Sequence, residues 1–151
     1  MLLLFSTKNY GQCTYPTSAI QVGSTITFCI DSPTANTTVG VGSNSYVVFN
    51  VVQGFSYTFS VNNIWGGDNE VINIYNNSSL GASLVSGNNT LNYTATFSGA
   101  IRILVSRATC GATSTGTGTL TITLTGVNNT NPSDNQLSAG TDSLEAGIAN
   151  L

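Results

Sequence analysis

The sequence predicts an all-β chain folded as an antiparallel β-sandwich of about eight strands. Three observations predict it. Apolar residues alternate with Thr, Ser and Asn at period two along most of the chain. No stretch between Cys13 and Thr125 carries a helical period. The alternating runs are separated by Gly-, Asn- and Ser-rich turn signals. Sheets that are apolar on one face hide that face only against one another, so two layers follow.

Thr25 to Ile30 places Ile26, Phe28 and Ile30 on one face, with Thr25, Thr27 and Cys29 opposite. Gly40 to Asn44 reads as a flexible loop without the lysine of a phosphate cradle. Ser45 to Val51 aligns Val47, Phe49 and Val51, and sets Tyr46 and Val48 on the other side. After a Gln53-Gly54 turn, Phe55, Tyr57, Phe59 and Val61 share a face. A Gly-rich loop from Asn62 to Asp68 holds the single tryptophan, Trp65. Val71 to Tyr75 and the short Leu80 to Val85 follow. Leu91 to Phe97 and Ala100 to Val105 read as a hairpin about Ser98-Gly99, since Gly takes positive φ without strain. Gly118 to Thr125 closes the domain, with Leu120, Ile122 and Leu124 on one face and threonines on the other.

Composition narrows the function. Charged residues make up 6% of the chain: 3 Lys and Arg, 6 Asp and Glu, for a net charge of −3, and no histidine. A soluble domain ordinarily carries about 25%. Lys8, Arg102 and Arg107 are too few cations for a nucleic-acid groove or an anionic membrane surface. No apolar run approaches the ~20 residues of a membrane-spanning helix, so no membrane insertion is expected. The lack of histidine removes His-based triads and most general-base schemes. Thr- and Asn-rich, charge-poor faces suit a sheet protein outside the cell.

Three regions are expected. Residues 1–12 form a signal-peptide remnant or an N-terminal strand, 13–126 the sandwich, and 127–151 a polar linker. Leu2 to Phe5 followed by small and polar residues resembles the end of a secretory leader, and Gln12-Cys13 resembles a Bacteroidetes export cleavage site. Thr141 to Leu151 resembles the approach to a type IX sorting domain of Bacteroidetes.

Tyr46 to Val61 resembles the paired strands of bacterial pre-peptidase C-terminal domains. Asn69 to Asn76 resembles the strand that follows, and Leu91 to Cys110 the last half of the Cys-bearing Bacteroidetes form. The resemblance implies a jelly-roll-like sandwich appended to secreted enzymes and adhesins, used for binding or spacing. Cys13, Cys29 and Cys110 make an odd set, so an oxidising compartment leaves one thiol over. Cys13–Cys110 is favoured because both lie outside strand interiors. Cys29–Cys110 is the alternative and is compatible with the family.

Two sites are candidates. Trp65, with Tyr46 and Tyr75, offers an aromatic platform for a glycan. Asp68 and Glu70, beside Gly66-Gly67 and with Asp31, offer hard oxygen ligands to calcium, the only cofactor expected if any. No catalytic residue is assigned. The sequence therefore reads as a secreted, non-catalytic module for cell-surface adhesion, scaffolding or filament assembly, with carbohydrate binding through Trp65 as the alternative. Its expected partners are copies of itself, cell-surface proteins or glycans. Strand donation by Leu2 to Ser6 is one route to polymers.

Overall fold

The computed structural model describes residues 18–28, 36–42, 45–62, 70–107 and 116–127. These form nine strands: β1 (Ile20–Gln21), β2 (Asn36–Gly42), β3 (Ser45–Val51), β4 (Phe55–Val61), β5 (Glu70–Asn76), β6 (Val85–Asn88), β7 (Thr90–Thr94), β8 (Gly99–Arg107) and β9 (Thr117–Val127). One sheet has the order β1-β3-β8-β5-β6 and the other β2-β9-β4-β7. Strands β2 to β9 thus occupy the positions of an eight-stranded jelly roll, four to each sheet. Strand β1 is an addition that pairs parallel with β3, whereas the pairings among β2 to β9 are all antiparallel.

The core is the space between the sheets, and the period-two pattern fills it. Phe55, Tyr57, Phe59 and Val61 of β4 and Leu120, Ile122 and Leu124 of β9 face Val47, Phe49 and Val51 of β3, Ile72 and Ile74 of β5, and Ile101, Ile103 and Val105 of β8. Phe49 is fully buried at the centre of the aromatic group. Its ring meets Phe28 at 5.1 Å, Tyr57 at 5.2 Å and Phe59 at 6.1 Å, all edge to face. That arrangement sets the positive ring edge on the negative face. Burial of each such side chain contributes about 1.5–3 kcal/mol.

Several local expectations change. Leu91 to Val105 is not a hairpin: β7 pairs with β4 in one sheet, whereas β8 pairs with β3 and β5 in the other. The chain crosses between layers through Gly99, whose φ of +147° suits glycine. The Gln53-Gly54 turn likewise joins β3 and β4 of opposite sheets. Only β5 and β6 pair with their sequence neighbour among the described strands. Asn36 to Gly42 is a regular strand, so the chain stays extended through Gly40. Of the run Thr25 to Ile30 the described part, residues 25–28, makes one isolated bridge at Ile26, and Ile26 and Phe28 pack on the core. The strand expected at Leu80 to Val85 lies at Val85–Asn88. The last strand runs through Val127.

Tyr57 is the polar exception in the core. Its hydroxyl accepts from the Val52 N–H at 3.0 Å. Burial pushes its ionisation above the ordinary 10.0; the Val52 bond opposes that shift and the neighbouring Tyr93 phenol adds to it.

Two outcomes are expected. Phe49→Ala should lower folding stability by about 3–5 kcal/mol, read from the urea midpoint, because truncating a buried aromatic leaves a cavity. Because the Tyr57 pKa is raised in the folded state, its contribution is complete below 10.0 and is lost as pH rises through the raised value. The thermal midpoint should therefore fall above pH 10.0, and in Tyr57→Phe that alkaline fall should be shallower.

Candidate functional site

The outward faces of the two sheets differ in kind. On the β2-β9-β4-β7 sheet the outward residues are Thr, Ser, Asn and Gly, from Asn36, Thr38 and Gly40 through Thr119, Thr121 and Thr123 and Ser56, Thr58 and Ser60 to Thr90, Asn92 and Thr94. They bond to one another: Ser56 and Thr94 hydroxyls at 2.9 Å, and Thr58 Oγ1 donating to Asn92 Oδ1 at 2.7 Å. Among the described residues this face carries no charged group.

The outward face of the five-stranded sheet holds two of the aromatic candidates, Tyr46 and Tyr75. Tyr46 of β3 is half-buried. The Arg102 guanidinium lies over its ring, 4.6 Å from the centroid. Arg102 Nε also donates to Asn77 Oδ1 at 2.7 Å, which ties the stack to the turn after β5. Tyr75 sits opposite Arg102 in the β5–β8 ladder. It is only 1% exposed, so the expectation that Tyr75 belongs to an exposed binding platform is corrected. Val48, Leu104 and Asn73 on the same outward face are also buried. Asn73 is held in a polar chain: its Nδ2 donates to Ser106 Oγ at 3.2 Å, and Ser86 Oγ donates to its Oδ1 at 2.7 Å. This sheet is thus covered on both faces, and Tyr46 with Arg102 marks where its outer side meets solvent.

Glu70 occupies a different place. It opens β5 on the inward face, 2% exposed, directly opposite Arg107 in the ladder. Asn89 fastens this end of the sandwich. It adopts φ +57°. Its Oδ1 accepts from Glu70 N–H at 3.0 Å, its N–H donates to Glu70 C=O at 2.8 Å, and its C=O accepts from Val61 N–H at 2.8 Å. One residue therefore links β4, β5 and the β6–β7 connection. The described flanks of Asp68, Asn62 and Glu70, lie at this end. Those of Asp31, Phe28 and Asn36, lie toward the other, beside Phe49 and Thr123. Trp65, Asp68, Asp31, Cys13, Cys29 and Cys110 themselves fall outside the described residues. Among the described residues no three His, Cys, Asp or Glu side chains gather as a metal site, and no helix is long and apolar enough to cross a membrane.

The charged side chains among the described residues are Glu70, Arg102 and Arg107. Arg102 was not singled out from sequence as a site residue. Its signal is a cation set directly between Ile101 and Ile103, in the outward register of an apolar strand.

Residues 36–129 match the family model described as "Domain of unknown function (DUF8695)", more than half of the chain, and the chain belongs to that family. No curated protein matches it. Among solved structures it is similar to a periplasmic lysozyme inhibitor of g-type lysozyme from Aeromonas hydrophila, at 14% identity and a TM-score of 0.48, covering 70% of this chain and 99% of that one. It is also similar to the pre-peptidase C-terminal domain of a Bacillus anthracis collagenase, at 15% identity and 0.48, covering 69% and 95%. A third likeness is to a Yersinia pseudotuberculosis-derived mitogen, at 14% and 0.41, covering 67% and 92%. Likeness at this level leaves ligand and activity to be argued from the chain's own residues.

Asn89→Ala should cost about 2 kcal/mol in a denaturation series, since it loses both the side-chain acceptor and a residue tolerant of the left-handed region. Asn89→Gly, which keeps the backbone conformation, should cost about half as much.

Proposed function

We propose that this DUF8695 member is a non-catalytic module of a secreted protein, serving adhesion, scaffolding or filament assembly at the cell surface. The observation that carries the reading is the use made of charge. Glu70 is buried in the interior end of the sandwich, and Arg102 is engaged by Tyr46 and Asn77. Chemistry at a substrate needs an acid, base or nucleophile with a proton path to it. The described charged groups are instead built into the framework. Among the described residues the four-stranded sheet offers outward a broad uncharged surface of hydroxyls and amides, suited to contact rather than turnover.

Export belongs to the same proposal, as does a Bacteroidetes type IX context. Their supports are the leader-like start, the sorting-like end and the charge-poor Thr/Asn surface. Carbohydrate binding is the second reading, and Tyr46 is the observation that keeps it. Arg102 already covers one face of that ring, so a sugar would stack on the remaining face or on Trp65.

Adhesion can be measured directly. Cells displaying this chain on an inert surface carrier should be retained on a surface coated with the purified chain or with envelope fractions, about tenfold above cells with the empty carrier. Equal retention would sink the adhesion reading. On a glycan array, loss of a saturable signal in Trp65→Ala with an unchanged thermal midpoint would move the assignment to the second reading.

A further inference from the structure

The two sheets treat their edges differently. In the five-stranded sheet the outer side of β3 is occupied by residues 18–28: Val22 N–H donates to Tyr46 C=O, Ile26 N–H to Val48 C=O and Asn50 N–H to Ile26 C=O, each at 2.9 Å. Its other edge, β6, has four residues. Short and covered edges are the usual protections against pairing between molecules. Among the described residues no segment covers either edge of the four-stranded sheet. Its edges are β2, seven residues in unbroken register with β9, and β7, five residues in register with β4. Neither strand contains a charge or a proline.

The hydrogen-bond pattern shows which backbone groups on these edges point away from the sheet. Thr119 C=O accepts from Asn62 N–H, so Thr119 turns its backbone toward β4 and its β2 partner Gly40 turns outward. By the alternation of an antiparallel strand, Asn36 and Thr38 turn outward with it. Gly42, at the same parity, is closed by Ser45, whose hydroxyl accepts from its N–H and donates to its C=O. On β7, Ala95 N–H donates to Phe55 C=O, and Leu91 and Tyr93 follow that parity toward β4. Thr90, Asn92 and Thr94 therefore point their backbones outward. All six outward residues are exposed.

We infer that β2 of one copy of this chain pairs with β7 of the next, which joins the four-stranded sheets of successive copies into one continuous antiparallel sheet. The strand sense supplies the fit. β2, β9, β4 and β7 alternate in direction, so β2 and β7 run oppositely. Placing the next copy alongside by translation sets β7 against β2 in the antiparallel sense and keeps both hydroxyl faces on the same side. Three outward residues on one edge meet three on the other. Such a contact is heterologous, leaves a free edge at each end and propagates as a filament. The Tyr93 hydroxyl, buried without a hydrogen-bond partner, lies on the inward face of β7, where an added strand brings a new neighbour. This inference rests on the scaffold reading and narrows it to self-assembly through one sheet.

The test uses two full-length variants. Thr38→Pro removes an outward N–H from β2 and leaves β7 intact; Asn92→Pro does the same to β7 and leaves β2 intact. Proline is accommodated at an edge position whose N–H bonds nothing in its own sheet. By sedimentation velocity, the wild-type chain should grow several-fold in mass with concentration. Each variant alone should stay monomeric, and an equimolar mixture should form a dimer and stop, through the one good edge each retains. Complementation also shows that both variants are folded; if either loses its cooperative thermal transition, Thr38→Lys or Asn92→Lys replaces it. A wild-type chain that stays monomeric overturns the inference while leaving adhesion to be judged by cell retention. Dimers of Asn92→Pro alone, or of Thr38→Pro alone, would mean like edges pair and would overturn it equally.

Discussion

The structure depends on closing one apolar layer between two sheets, and Phe49 shows how. A ring at the centre of that layer needs aromatic neighbours from above and beside it, and it receives them from β4 and from Phe28 in the segment leading to β2. The β4 rings come from the sheet opposite Phe49. A chain that returned on itself in hairpins would place Phe49 and Phe59 in one sheet, side by side, and leave the opposite layer to be filled by distant residues. Crossing between sheets at nearly every turn puts sequence neighbours face to face instead. The jelly-roll order is the consequence: β3 sends its apolar face to β4 across the core and finds its hydrogen bonds in β8, far along the chain.

That division between packing and pairing explains what could be read in the sequence. Period two tells which side of a strand is apolar, and the faces of β4 and β9 are as their alternation implies. It does not tell which strand lies alongside. Ser98-Gly99 has the chemistry of a tight turn, but a glycine at φ +147° serves equally to pass between layers. Asn36 to Gly42 was hidden by its two glycines, which depress strand propensity locally, although the seven-residue register with β9 supports them. Tyr75 misled for another reason. Its parity opposes Ile72 and Ile74, which predicts exposure for a sheet with one wet face. The runs Tyr46-Val-Val-Phe49 and Ile103-Leu-Val105 carry the correction in their continuous apolarity, the mark of strands buried on both sides.

The candidate site was legible only in outline for the same reason. Tyr46 could be recognised as an aromatic in an outward register, yet its partner Arg102 lies 56 positions later in the chain and meets it only because β3 and β8 are neighbours. Glu70 looked like a loop carboxylate beside Asp68. The strand in fact begins at Glu70 itself, which turns that side chain inward, opposite Arg107. Extending the strand by that one residue leaves its register unchanged and gives Glu70 the inward parity of Ile72 and Ile74, so the strand boundary decides whether this acid is a loop group or a framework group.

Low charge then acquires a structural meaning. A sheet protein with ordinary surface charge separates its edges from those of its neighbours by lysines and by repulsion between copies. This chain carries a net charge of −3 over 151 residues, and neither outer edge of its four-stranded sheet bears any of it. The five-stranded sheet is protected by other means, a parallel arm on one edge and a short strand on the other. If composition alone had stripped the charges, with no consequence for assembly, both sheets would need equivalent protection. Among the described residues one sheet is covered and the other is left open at both edges, in opposite strand directions, which is the pattern expected when contact between copies is confined to a single layer.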